Sequence, residues 1–173
     1  MTAKTASART SGTGWTIRRA EAGDAGALHA MLTAMSEDLG CAAGFRCDPQ
    51  DLLRHGFGAV PLFRVLLAER GGAALGMALY FPEFSTLRGR PGVYLQDLYV
   101  RRDMRASGLG RRLLAAVVRD ASQAWDAAYL RLCVHETNAG ALAFYRRLGF
   151  GTDPGERPLW IEGARFSKLG DMA

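Results

Sequence analysis

Three sets of residues in this chain have the types and spacing to do chemistry. The first is Arg105-Ala106-Ser107-Gly108-Leu109-Gly110, which follows the apolar run Tyr94–Val100 and leads into a helical pattern. A strand that feeds a glycine-bearing turn and then a helix aims backbone N–H groups at one point, where a phosphate can be held. Gly108 and Gly110 let the backbone approach such a ligand, and Arg105 adds a charged fork. The second set is the carboxylate pair Glu37-Asp38, which can face a cation. The third is the segment Asn138-x-x-Ala141-x-x-Phe144-Tyr145-x-x-Leu148-Gly149-Phe150, which carries a phenol and a side-chain amide. The turn has neither the Gly-x-x-x-x-Gly-Lys pattern of nucleotide loops nor a complete Gly-x-Gly-x-x-Gly with an acidic partner downstream.

The elements that position these groups follow from periodicity. Trp15–Arg19 is a short β-prone run. Asp24 caps a helix on which Leu28, Met31, Leu32 and Met35 recur at helical spacing, with Gly40 as terminator. Glu37 and Asp38 end that helix, where carboxylates oppose the helix dipole; they are either solvated surface or face a cationic substrate. Asp48 and Pro49 start a second helix, which ends at His55–Gly58. Phe63–Glu69 and Ala74–Phe81 flank Gly71-Gly72, an antiparallel hairpin. Pro82–Gly92 reads as a polar connection. Beyond Gly110, Leu113, Leu114, Val117, Val118, Ala121 and Trp125 mark an amphipathic helix. Tyr129–Val134 is a further strand, parallel to Tyr94–Val100 by the handedness of the crossover. Asn138 caps a helix closed by Gly149, and two β-prone runs follow around Phe150–Asp153 and Leu159–Leu169.

Composition bounds the rest. The chain has 173 residues, 49% hydrophobic and 23% charged, which suits one globular domain over 15–173 behind a disordered tail over 1–14. The formal charge of +5 favours an anionic ligand, yet no basic stripe interleaved with aromatics points to nucleic acid. Cys41, Cys47 and Cys133 show no metal-ligand spacing; reduced thiols in a cytoplasmic protein are the simplest reading, with no metal and no membrane partner.

Taken together, the turn and the Asn138–Phe150 segment resemble the GNAT superfamily of acyl-CoA-dependent N-acyltransferases. Within it the chain is most similar to the diamine acetyltransferases, which act on spermidine, spermine or thialysine. The narrower likeness rests on Asp51–Gly58, on Tyr80-Phe81 with Arg88-Gly89-Arg90, and on Tyr94–Val100. The resemblance implies an α/β fold with a mixed, mostly antiparallel sheet, a central splayed parallel strand pair and flanking helices. It implies acetyl-CoA as donor, a small-molecule amine as acceptor and direct attack in a ternary complex. Leu98, Tyr99 and Val100 would then pair with the pantetheine arm. Arg105, Ala106, Ser107, Gly108, Leu109 and Gly110 would hold the pyrophosphate, and Asn138 would contact the cofactor arm. Tyr145 takes the position of the general acid, and Glu37, Asp38, Tyr80, Asp97 and Glu136 fall on the acceptor side. Relatives of this kind often form homodimers, with Leu159–Leu169 available to an interface.

One residue departs from the pattern. Diamine acetyltransferases commonly place Glu-Asp where this chain has Gln96-Asp97. A lysine-like amine has a pKa near ~10.4, so roughly one molecule in 10³ is neutral at pH 7, a cost of about 4 kcal/mol unless the protein helps remove the proton. Glutamine cannot be the base, although its carbonyl oxygen can hold a water or an amine N–H. Asp97, Glu136 and His135 are the neighbouring candidates in a water-relayed deprotonation. Asp97 faces away from Gln96 unless a bulge intervenes. The neutral Gln96 also favours an acceptor with fewer charges than spermine, such as a lysine-like amine or a monoamine; aminoglycosides and protein amines are the alternative acceptors. A non-catalytic acyl-CoA sensor is the alternative function.

Overall fold

The computed structural model describes residues 14–152, 155 and 158–171. The expected tail over 1–14 lies, but for Gly14, outside them. The chain divides at His135/Glu136 into two compact units.

The first unit is built on a five-stranded sheet in the order β1-β2-β3-β4-β5. β1 is Thr16–Arg19, β2 Arg64–Arg70, β3 Ala73–Ser85, β4 Arg90–Val100 and β5 Leu130–Leu132. Every pairing is antiparallel except β4 with β5. Gly71 and Gly72, both at positive φ, make the two-residue turn between β2 and β3. The segment expected as a connection, Pro82–Gly92, is instead largely strand: β3 runs on to Ser85 and pairs with β4 from Arg90 onward. Pro82 is tolerated there because β2 has already ended at Arg64↔Tyr80, so one edge of β3 is open and a residue without an N–H breaks no ladder.

Helices cover both faces. Helix α1 (Ala25–Asp38) and helix α2 (Pro49–Gly56) pack on one side, where Leu28, Met31 and Leu52 meet Val65, Leu67, Met77 and Tyr99. α2 begins in a reciprocal capping box: the Asp51 N–H donates to Asp48 Oδ1 at 2.9 Å, and the Asp48 N–H to Asp51 Oδ2 at 3.1 Å. Asp24 precedes α1 but does not cap it with its side chain. Its carboxylate takes two bonds from the Arg18 guanidinium, at 2.7 and 2.9 Å.

Helix α3 (Leu109–Trp125) covers the opposite face with Leu113, Val117 and Ala121, each fully buried. Gly76 leaves room on both sides, because a Cβ there would lie 2.7 Å from the Tyr99 carbonyl oxygen of β4 and 3.3 Å from Leu113 Cδ1 of α3. The alternate residues Ala78 and Tyr80 face α3, whereas Met77 and Leu79 face α1.

The second unit holds α4 (Ala139–Arg147) and α5 (Ala164–Gly170). Here the structure corrects the expectation of late strands. Residues 150–152 form no strand, and the second half of Leu159–Leu169 belongs to α5. Within α5 the large apolar residues Phe166 and Leu169 stand three apart, a helical spacing. Asp153 lies outside the described residues. No described helix is long and apolar enough to cross a membrane.

Candidate active site

The site begins with an irregularity between β3 and β4. Leu79 pairs with Asp97, but the next residue, Tyr80, pairs with Leu95. Gln96 is therefore left over as a β-bulge. A bulge breaks the two-residue alternation, so Asp97 joins Gln96 on the face of Leu79 instead of turning away. Both residues line a cavity of about 810 Å³ between the sheet and the α1–α2 layer. The end of α1 contributes Leu32, Met35 and Leu39 to its wall, the α1–α2 connection Phe45 and Cys47, and β3 Leu79 and Phe81.

Asp97 is the one charged side chain in that wall. Its side chain has no hydrogen-bond or ion-pair partner among the described residues, and burial pushes its pKa up to about 6. At pH 7 it is largely ionised and poised near the operating pH, which is where a proton acceptor works best. Burial, then the charges of Asp51, Asp48 and Asp97, raise the neighbouring Cys47 thiol and keep it protonated.

The other expected acceptor-side residues lie elsewhere. Tyr80 is fully buried on the α3 face, and its hydroxyl donates to Asp120 Oδ2 at 2.7 Å. The same carboxylate accepts from Arg64 at 2.9 Å and from Arg19 at 3.2 Å, so Tyr80 ties the sheet to α3. Strand alternation is the reason: with Leu79 toward the cavity, Tyr80 must point the other way. Asp38 is taken by Arg102 and Arg105. Arg102 Nε donates to Oδ1 at 2.8 Å, and both guanidinium groups make further close contacts. The bonds from Arg102 and then Arg105 hold the Asp38 carboxyl below the usual carboxylate range. Glu37 is exposed and absent from the cavity wall; Glu136 is exposed in the second unit.

Among the described residues, no strand pairs with the β5 side of β4 after Leu95, because the parallel ladder spans only Val93–Leu95 with Leu130–Leu132. Leu98, Tyr99 and Val100 follow that point and pair with Ala78, Met77 and Gly76 on the other edge. The turn beyond them has two left-handed residues, Ala106 at φ 62° and Gly108 at φ 85°. Ser107 Oγ donates to the Met104 carbonyl at 2.6 Å and accepts weakly from the Leu109 N–H at 3.4 Å, which fixes the turn from within. α3 then starts without a side-chain cap at Gly108, so its first-turn amides point out of the helix end. Arg105 Nε donates to the Val100 carbonyl at 3.1 Å, and its guanidinium bridges back to Asp38.

In the second unit, Asn138 caps α4, with Oδ1 accepting from the Ala141 N–H at 3.0 Å. Tyr145 is half-buried, with the Phe144 and Phe150 rings 5.1 and 5.2 Å away. Burial pushes its phenol up to about 12, so it holds its proton at neutral pH. Among the described residues, no group of three or more His, Cys, Asp or Glu side chains is set to hold a metal. The cavity wall from the α1–α2 connection and Phe63 was not visible in sequence; the capping Asp48 marks the end of that connection but not the direction of its side chains.

Comparison with known proteins follows the same lines. Residues 28–150 match the acetyltransferase (GNAT) family. A thialysine N-epsilon-acetyltransferase from Bos taurus is 30% identical over 141 residues, spanning 77% of this chain and 82% of its own. The spermine/spermidine N(1)-acetyltransferase of Bacillus subtilis is 27% identical over 46% of this chain and 53% of its own. Among solved structures, an integron cassette protein from the mobile metagenome of V. cholerae superposes with a TM-score of 0.74, at 21% identity over 92% of this chain and 99% of its own. An aminoglycoside acetyltransferase from an uncultured soil sample reaches 0.70 at 15% identity, over 86% of this chain and 96% of its own, a likeness of fold alone. The bulged strand, the glycine turn and the asparagine-capped helix thus sit in a chain that belongs to the GNAT acetyltransferase family, with thialysine and spermine/spermidine acetyltransferases among its relatives.

Proposed function

We propose that this chain transfers an acetyl group from acetyl-CoA to the primary amine of a small molecule, by direct attack of the amine. The observation that carries this reading is the bulge at Gln96. It turns Asp97 into the cavity on the same strand whose free edge runs toward the glycine turn.

The residues present suit coenzyme A. The open edge of Leu98, Tyr99 and Val100 offers backbone groups to the pantetheine amides, as an added strand would. The amides of Ala106–Gly110 and the α3 N-terminus suit a diphosphate, and Gly108 holds a left-handed φ that a side chain would strain. Asn138 supplies a side-chain amide to the cofactor arm. Acetyl-CoA, when bound, supplies a thioester whose acyl carbon accepts the amine lone pair.

On the acceptor side, Asp97 receives the ammonium and the Gln96 carbonyl oxygen orients an N–H or a water. The proton leaves through water beside Asp97. With acetyl-CoA bound, backbone N–H groups of this chain would steady the charge that builds on the acyl oxygen as the amine replaces the thiol. Tyr145 donates its O–H to the departing sulfur. Because the thiol has a pKa near ~8.5, full transfer from a phenol near 12 is uphill, and the hydrogen bond itself is the contribution. The reading extends to the cytoplasm and to a homodimer, the latter supported by the exposed apolar residues Leu159, Trp160, Phe166 and Leu169.

A thiol-release assay with acetyl-CoA and a panel of primary amines tests the function. Release that depends on both substrates is expected. Calorimetric binding of acetyl-CoA with no release on any amine would favour a sensor instead.

A further inference from the structure

The acceptor cavity combines a carbon-lined wall with a single charge. Leu32, Met35, Phe45, Phe63, Leu79 and Phe81 are among the apolar side chains of that wall, and Asp97 is the one carboxylate in it. The polar groups around Asp97 are few, and several are engaged. The buried Ser36 hydroxyl donates to the Thr33 carbonyl at 2.7 Å. Asp48 and Asp51 cap α2 and each other. Asp38 is neutralised by Arg102 and Arg105, and Glu37 stands outside the wall. A second ammonium entering with the first would lose its water and find no second carboxylate in the wall, which disfavours it. A methylene chain or an aryl ring entering the same space would gain from leaving water. The volume of about 810 Å³ is ample for either.

From this we infer that the acceptor is a lipophilic primary monoamine, with its ammonium on Asp97 and its alkyl or arylalkyl body along the apolar wall. The inference rests on the acetyl-transfer reading above and narrows it away from diamines and polyamines, the acceptors named for the relatives.

The test is a matched pair. n-Hexylamine and 1,6-diaminohexane share one carbon chain and differ by the second cation. With the full chain and acetyl-CoA, kcat/KM for hexylamine should exceed that for the diamine by about 50-fold or more. Along the series from ethylamine to hexylamine, kcat/KM should rise about 3- to 4-fold per methylene. Leu62, 64% exposed at the cavity mouth, offers a second readout that leaves the core alone. Leu62→Glu should raise the diamine-to-monoamine ratio by about 10-fold, with the melting temperature unchanged. The proposal is overturned if the diamine or spermidine matches or beats hexylamine, or if chain length has no effect; either result leaves acetyl transfer standing. Absence of thiol release on every amine overturns both.

Discussion

Asp38 and Asp97 belong to the same unit and meet opposite surroundings. Asp38 ends α1 between two arginines, and their bonds hold its carboxyl below the ordinary range. Asp97 lies on β4 with no cation against it, and burial lifts it to about 6. A carboxylate already satisfied by guanidinium groups orders the chain, here joining the end of α1 to the turn before α3. A carboxylate left unsatisfied in a carbon-lined cavity is set to take a cation from outside. Sequence position alone would rank Asp38, beside Glu37, as the better amine ligand. The arginines decide otherwise.

Removing the unsatisfied charge should have the largest consequences. Asp97→Asn should lower kcat/KM for the amine by about 100-fold at pH 8 and leave the KM for acetyl-CoA nearly unchanged, as steady-state kinetics would show. The same variant should be more stable than the parent. A folded-state pKa raised from 3.8 to about 6 means the protonated form is favoured by folding. That contribution is complete below about 3.8 and is lost as pH rises through 6. Asp97→Asn should therefore gain roughly 2 kcal/mol above pH 7 in denaturant titrations, and nothing near pH 4. A variant less stable at pH 7.5 would mean that Asp97 has a partner in solution.

Smaller effects separate the regions further. Tyr145→Phe should lower kcat about 10-fold with acetyl-CoA affinity intact, which isolates chemistry from binding. Gly108→Ala meets open space but a φ of 85°, so its penalty is conformational. Unfolding should show about 1 kcal/mol of lost stability, and the KM for acetyl-CoA should rise several-fold. Asp38→Asn should cost under about 1 kcal/mol, because both of its arginines are half exposed or more. That loss should shrink in 0.5 M salt and vanish once the parent's Asp38 is protonated, well below pH 4.

Much of this was legible in the residues. Helical spacing marks α1 and α3, the Asp48-Pro49 pair marks the start of α2, and Gly71-Gly72 marks the hairpin. Asn138 and Gly149 bracket α4. What sequence could not supply is which side chains share a space. The facing of Asp97 depends on a register shift that no local pattern encodes. Tyr80 reads as an aromatic beside an acceptor site, yet its side is set by its neighbour Leu79. The apolar wall draws on residues from Leu32 to Phe81, brought together only by packing. The final β-prone run failed in its second half, where Phe166 and Leu169 stand three apart, a helical spacing.

The bulge at Gln96 gives β4 two reading frames. Before it, Val93 and Leu95 face α3 while Tyr94 stacks on Phe81 with ring centroids 5.2 Å apart. After it, Asp97 and Tyr99 occupy the side of Tyr94, although Tyr99 is an odd number of residues away. One half of the strand is phased for closing the core, and the other is phased for presenting chemistry. Deleting position 96 would bring both halves into one phase, with Asp97 still opposite Leu79, and would take only the Gln96 side chain out of the cavity.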